Sequence, residues 1–164
     1  MASGSKLKPV KEFRIHKRNL PHWEHPGSVY FITFKAASGY ELVDAAKDII
    51  FNTIRHHADK KYKLYGCVVM KTHVHIVLSP LEESKNSYYS LTQIMHSIKS
   101  YSANRIQRAL NKQGSVWVVE NYDRIVRDDD AYYEILNYIL FNPVKAGIVH
   151  KPEEYRWLFY RGNE

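Results

Sequence analysis

The spacing of apolar residues along this chain switches between two periods, and the switches mark its elements. Ser28 to Lys35 is dense in β-branched and aromatic residues and predicts a first strand. From Glu41 to about Ala58, Leu42, Ala45, Ala46, Ile49, Ile50 and Ile54 recur at helical spacing and predict an amphipathic helix. Its polar, cationic end, His56 to Lys61, suits a helix C-terminus. Tyr62–Met70 and His73–Ser79 predict a second and a third strand, joined through Lys71-Thr72 as an antiparallel hairpin. Pro80 to Ser87 reads as a loop. Ser90 to Asn111 predicts a second helix with Leu91, Ile94, Met95, Ile98, Tyr101, Ile106 and Leu110 on its apolar face. Gln113-Gly114-Ser115 breaks it, and Val116 to Val126 reads as a fourth strand. Asp128 to Asp130 places negative charge where a helix start favours it. A third helix follows from Asp130 to Phe141, stopped at Asn142-Pro143. From Lys151 a short tail carries Tyr155, Trp157 and Phe159 and is expected to pack on the body.

The predicted order is βαββαβ followed by an extra helix. This is the ferredoxin-like α+β pattern, an antiparallel sheet with two helices on one face. The other face stays free for a ligand or for the extra helix. The chain divides into a basic arm, residues 1–27, and one domain, residues 28–164.

A length of 164 residues fits that single domain, and 45% hydrophobic content is ordinary for a globular core. No apolar run reaches membrane-spanning length and no signal-peptide core is visible at the N-terminus, so no membrane association is expected. The single cysteine, Cys67, cannot form an intrachain disulfide, and a reducing cytoplasmic location is the default. The net charge of +7, from 24 Lys+Arg against 17 Asp+Glu, suits a polyanion such as nucleic acid. The arm supplies Lys6, Lys8, Lys11, Arg14, Lys17 and Arg18.

Charge changes the picture less than the run Tyr65 to Pro80. His73 and His75 lie two apart within it, so on a strand they point from one face, while Val74, Ile76 and Leu78 point from the other. Two imidazoles side by side can share a divalent metal; the plainer reading is a hydrogen-bonded pair on a half-buried sheet. If the aliphatic residues face the main helices, the histidines look out on the free face. On the third helix Tyr132, Ile135, Leu136 and Ile139 form the buried stripe, and Tyr138 and Asn142, four apart, stack on its flank. A helix laid on the free face brings that flank to the histidines. The Asn142 side-chain carbonyl is then a further oxygen ligand and Tyr138 stands beside the metal.

Such a set suits phosphodiester chemistry. A divalent cation polarises a phosphate and stabilises a leaving oxygen. A nearby cation also favours the phenolate form of a tyrosine and so activates it as a nucleophile. The bond energy is retained in a phosphotyrosine link, which permits rejoining without a nucleotide cofactor. Histidine with amide oxygen suits Mg²⁺ or Mn²⁺.

Met70-Lys-Thr-His-Val-His-Ile-Val-Leu78 resembles the histidine–hydrophobic–histidine motif of the HUH single-tyrosine transposases. Ser97 to Ile106, Val116 to Arg127 and Tyr138 to Gly147 are similar to segments of the REP-associated branch, and the likeness runs from about Ser28 to Trp157. The resemblance implies a nuclease and strand transferase that acts on single-stranded DNA, often hairpin-bearing, through a 5′-phosphotyrosine. It makes His73 and His75 metal ligands, Tyr138 the nucleophile and Asn142 the additional ligand. It also favours a monomer, although some relatives act as dimers. The chain departs from the pattern at Lys71-Thr72, where relatives carry Pro-Asn, at Val118-Val119 in place of Gln-Arg, and at Arg124 in place of histidine. Expected DNA contacts are Lys71, Arg124 and Arg127 near the site, extended by Lys17 and Arg18 on the arm or by Lys99, Arg105 and Arg108 on the second helix.

Two other readings compete. A histidine-triad nucleotide hydrolase needs a third histidine where Val77 stands. A non-catalytic single-stranded DNA- or RNA-binding module would stack bases on exposed strand aromatics, for which Tyr30, Phe34, Trp117 and Tyr122 are the candidates; core packing is their plainer role.

Overall fold

The computed structural model describes residues 28–162; the arm, with Lys17 and Arg18, lies outside the described residues. The elements are β1 (Tyr30–Lys35), α1 (Asp44–His57), β2 (Tyr62–Val69), β3 (His73–Pro80), β4 (Glu82–Ser84), β5 (Ser87–Tyr88), α2 (Leu91–Leu110), β6 (Tyr122–Ile125), α3 (Asp129–Lys145), a 3₁₀ turn (Pro152–Glu154) and β7 (Leu158–Tyr160). The main sheet is antiparallel in the order β6-β1-β3-β2-β7, which is the expected split ferredoxin-like order with one strand added at an edge.

Register decides which residues share a face. Thr33 pairs with His75 and Phe31 with Val77, while Val68 and Gly66 pair with the same two β3 residues from the other side. Opposed residues in an antiparallel pair project to one face. The alternate set, including Ile32, Phe34, Ile76, Leu78 and Cys67, projects to the other and is fully buried. That second face is covered by α1 and α2. Tyr62 donates its hydroxyl to the Ile54 carbonyl at 2.5 Å, and Trp117, edge-on to Phe34, donates its indole N–H to Ser102 at 3.1 Å. The α2 helix begins at a Ser90–Gln93 capping box, so its first orphan amides are satisfied locally.

The histidine face carries α3. Tyr132, Ile135, Leu136 and Ile139 form its buried stripe as the spacing predicts. Gly66 allows this approach: a Cβ there would lie 2.9 Å from Leu136 Cδ2. Asp128 caps the helix by accepting from the Ala131 amide at 2.8 Å. The helix does not stop at Asn142-Pro143 but continues to Lys145. Pro143 costs one donor near the last turn, and the chain closes with Ala146 N–H on the Asn142 carbonyl and Ile148 N–H on the Pro143 carbonyl, both at 3.0 Å. Gly147, at φ 74°, takes the left-handed position that ends it.

Three other segments differ from expectation. The fourth strand is interrupted: Val116–Val118 pairs beside Ala36 and Tyr122–Ile125 pairs with β1, but the chain between them steps out of the sheet. Lys99 holds that step, donating to the carbonyls of Val118 at 2.6 Å and Val119 at 3.0 Å and to Asn121 Oδ1 at 2.9 Å. The loop after Pro80 folds into the small β4–β5 hairpin, with Asn86 at φ 60° in its turn. The tail packs on the body and also pairs as β7 with β2, secured by the Tyr155 hydroxyl on the Val69 carbonyl and Trp157 Nε1 on Asp48. Tyr101, placed by spacing on the apolar face of α2, is instead exposed and stacks against His56.

Candidate active site

His73 and His75 project side by side from β3, their ring centroids 4.8 Å apart. His75 is 5% exposed and His73 half-buried. Phe31 stacks on one side of the His75 ring at 5.5 Å and 26°. Tyr138 of α3 meets the same ring edge-on at 5.2 Å, and also approaches Phe31 at 6.3 Å. Tyr138 itself is 44% exposed, so its ring reaches the histidines while the residue stays open to a ligand.

Each histidine has a threonine hydroxyl at Nδ1. Thr33 Oγ1 lies 2.7 Å from that atom of His75, and Thr72 Oγ1 lies 3.2 Å from that of His73. His75 Nε2 is buried and has no hydrogen-bond partner. Burial, then the neighbouring His73, pushes the His75 pKa down to about 4. Burial and Lys35 lower that of His73 as well. At neutral pH His75 is therefore a neutral imidazole, the form that binds metals. A buried nitrogen without a partner, beside a second imidazole, fits a divalent cation. Among the described residues no group of three or more His, Cys, Asp and Glu is arranged to hold a metal, so within them the further donors available are amide and hydroxyl oxygens.

Asn142 is the amide the sequence offered. Along α3, Tyr132 meets Tyr65, Leu136 lies over Gly66, which pairs with Val77, and Tyr138 meets His75. The helix thus runs antiparallel to β3. Four residues further is a rise of about 6 Å, and the step from His75 to His73 is about 6.7 Å. The half-buried Asn142 therefore lies toward the His73 end of the pair.

The expected DNA-contacting cations fall into separate groups. Arg124, opposite Phe31 across β6–β1, places its guanidinium 5.6 Å from the Phe31 ring and so flanks the site. Lys71 forms an exposed ion pair with Glu41 at 3.1 Å, and Arg127 is exposed just before α3. Lys99 is committed to the step in the fourth strand, and burial lowers its pKa. Arg105 donates to the Tyr101 hydroxyl at 2.8 Å and Arg108 is exposed, both on α2, across the sheet from the histidines. Of the candidate stacking residues, Phe34 and Trp117 are buried on the helix-covered face, Tyr30 is half-buried, and Tyr122 is 63% exposed. Sequence reasoning missed Phe31 and Thr33. They alternate on the first strand with the parity that β1–β3 pairing carries to His75, so the signal existed only once strand order and register were known.

Comparison with known proteins bears on this arrangement. The family model for IS200-like transposases matches residues 40–139, a span that contains His73, His75 and Tyr138. The chain belongs to the IS200-like transposase family. Among solved structures, it is similar to a REP-associated tyrosine transposase bound to a REP hairpin, at 17% identity and TM-score 0.64, over 85% of this chain and 82% of that one. It is also similar to a putative transposase from Deinococcus radiodurans R1, at 20% identity and TM-score 0.53, over 73% and 94%. At these identities the two structures support the fold. None of the curated proteins matches the chain. As an IS200-like transposase, the chain is a DNA-transposing protein by family. Among the described residues no helix is long and apolar enough to cross a membrane.

Proposed function

We propose that this IS200-like transposase is a metal-dependent single-stranded DNA endonuclease and strand transferase that works through a 5′-phosphotyrosine at Tyr138. The observation that carries this reading is the edge-on approach of Tyr138 to His75, whose free nitrogen is buried without a partner. His73 and His75, with the Asn142 side-chain oxygen, are the residues that would hold Mg²⁺ or Mn²⁺. Such a cation, when bound, supplies charge neutralisation at a phosphate and at the leaving oxygen.

The Tyr138 hydroxyl oxygen attacks phosphorus and gives up its proton. The bond from phosphorus to the 3′ oxygen breaks, and that oxygen leaves as a 3′ hydroxyl after taking a proton. The 5′ phosphate stays on the tyrosine. Attack by another 3′ hydroxyl runs the same exchange backwards and rejoins DNA, which needs no nucleotide cofactor. In this reading Arg124, beside Phe31, meets a phosphate of the incoming strand, and Lys71 and Arg127 make further phosphate contacts; the arm cations Lys17 and Arg18 extend the same role. A hairpin substrate is supported by the fold-level likeness to the transposase solved with a REP hairpin. The protein acts as a monomer in this reading.

The test is cleavage of end-labelled hairpin DNA with single-stranded flanks. Mn²⁺- or Mg²⁺-dependent nicking that leaves a free 3′ hydroxyl and a blocked 5′ end is the expected result. Binding without any nicking, with or without metal, supports the binding-module alternative instead.

A further inference from the structure

We propose that Thr33 is a positioning residue that sets the tautomer of His75 and thereby presents Nε2 to the metal. This deepens the function proposed above and rests on its metal site. A neutral imidazole has one N–H and one lone pair, and a threonine hydroxyl can either donate or accept. If Thr33 donated to Nδ1, the proton would sit on Nε2. That nitrogen is buried with no acceptor, so the proton there would be an orphaned donor and would also bar a cation from the ring. If Thr33 accepts from Nδ1–H at 2.7 Å, Nε2 carries a lone pair and a cation supplies its missing partner.

The geometry leaves the ring little alternative. Thr33 stands directly across from His75 in the β1–β3 ladder, so the sheet itself sets their separation. Phe31 is stacked on the His75 ring and Tyr138 closes from another direction, so a flip of the ring is opposed by packing. Thr72 stands at the same atom of His73, but at 3.2 Å and on an exposed turn, and holds it more loosely. Partners that orient a ligating histidine through its second nitrogen commonly change metal affinity by about 10- to 100-fold when removed.

The experiment uses the full chain and two readouts. Nitrogen-detected NMR of the metal-free protein at pH 7.5 reports the His75 tautomer, and calorimetric titration with Mn²⁺ reports affinity. Wild type should show the Nδ1–H tautomer. Thr33→Val, nearly isosteric and well suited to a strand, should lose that preference and bind Mn²⁺ about 10- to 100-fold more weakly. Thr33→Ser restores the hydroxyl and should bind within about threefold of wild type, and it serves with Thr33→Ala if the valine variant does not fold. An Nε2–H tautomer in wild type, or unchanged affinity and tautomer in the valine or alanine variant, overturns the proposal. A wild type that shows Nδ1–H but binds no Mn²⁺ refutes the metal site and its presentation by Thr33, while leaving the hydrogen bond itself intact.

Discussion

The ring of Tyr138 stands edge-on to that of His75, with centroids 5.2 Å apart and planes inclined by 68°. One residue belongs to a helix and the other to a strand 63 positions earlier in the chain, and nothing local brings them together. The contact exists because Gly66 lets α3 lie close on the histidine face and because the buried stripe of α3 fixes its rotation. Tyr138 then falls on the flank that meets the histidines.

The seating of α3 makes Gly66 a sensitive position. A valine there drives its side chain into Leu136, and overpacking of this kind costs about 1–3 kcal/mol. Urea unfolding should show Gly66→Val destabilised by that order. In a Leu136→Ala background the same change should cost clearly less, because neighbouring residues are not additive. Equal costs in the two backgrounds would mean that α3 does not rest on Gly66.

Stability should depend on pH through the buried histidine. The His75 pKa is lowered to about 4 in the folded protein, against about 6.5 when unfolded. The unfolded chain therefore binds more protons between these values, and stability falls as pH drops from about 6.5 toward about 4. This group contributes at most about 1.4 kcal/mol per pH unit in that window. His73 shifts in the same direction and adds to the trend. His75→Phe should flatten the slope measured by urea unfolding at pH 7 and pH 4.5; an unchanged slope would place the titration elsewhere.

Much of this architecture was legible in the sequence, and the gaps have physical causes. The histidine pair, the buried stripe of α3 and the split sheet order followed from period and order, because each rests on a pattern repeated over many residues. The continuation of α3 past Asn142 did not, since Pro143 is near enough to the last turn to forfeit only one hydrogen bond. The fourth strand read as continuous because Val116 to Val126 is rich in strand formers. Its interruption depends on Lys99, 19 residues from Val118, and no local pattern announces it. The three-residue β7 is held by Tyr155 and Trp157 rather than by any propensity of its own.

Lys99 and Arg124 should separate in DNA binding. Among the described residues the Lys99 ammonium is held by internal carbonyl and amide oxygens, so Lys99→Met should lower the melting temperature yet leave the salt slope of single-strand affinity unchanged. Arg124→Gln should weaken binding and reduce the slope by about 0.7, the value for one neutralised phosphate on a single strand. The reverse pattern in salt-titrated binding would place Lys99 on the DNA and remove Arg124 from it.

Metal should also reveal itself as stability. A cation that binds only the folded site at 100 times its dissociation constant adds about 2.7 kcal/mol. Mn²⁺ should therefore raise the melting temperature of wild type, and a chelator should reverse the gain. The double variant His73→Ala/His75→Ala should not respond; a response equal to wild type would locate the cation away from the histidine pair.

Tyr138 is the proposed nucleophile, and peptide mapping of a covalent adduct identifies the tyrosine that attacks. Wild type, Tyr138→Phe and Tyr122→Phe are incubated with hairpin single-stranded DNA and Mn²⁺, digested, and analysed by mass spectrometry. Tyr122 is the informative control, because it is exposed on the same face and pairs with Thr33 beside His75. A nucleotide-bearing peptide that contains Tyr138 is expected in wild type and in Tyr122→Phe. None is expected in Tyr138→Phe, which keeps the ring packing and should still fold and bind DNA. An adduct that persists in Tyr138→Phe and disappears in Tyr122→Phe would contradict the assignment, and an absence of any adduct in wild type would contradict the covalent mechanism.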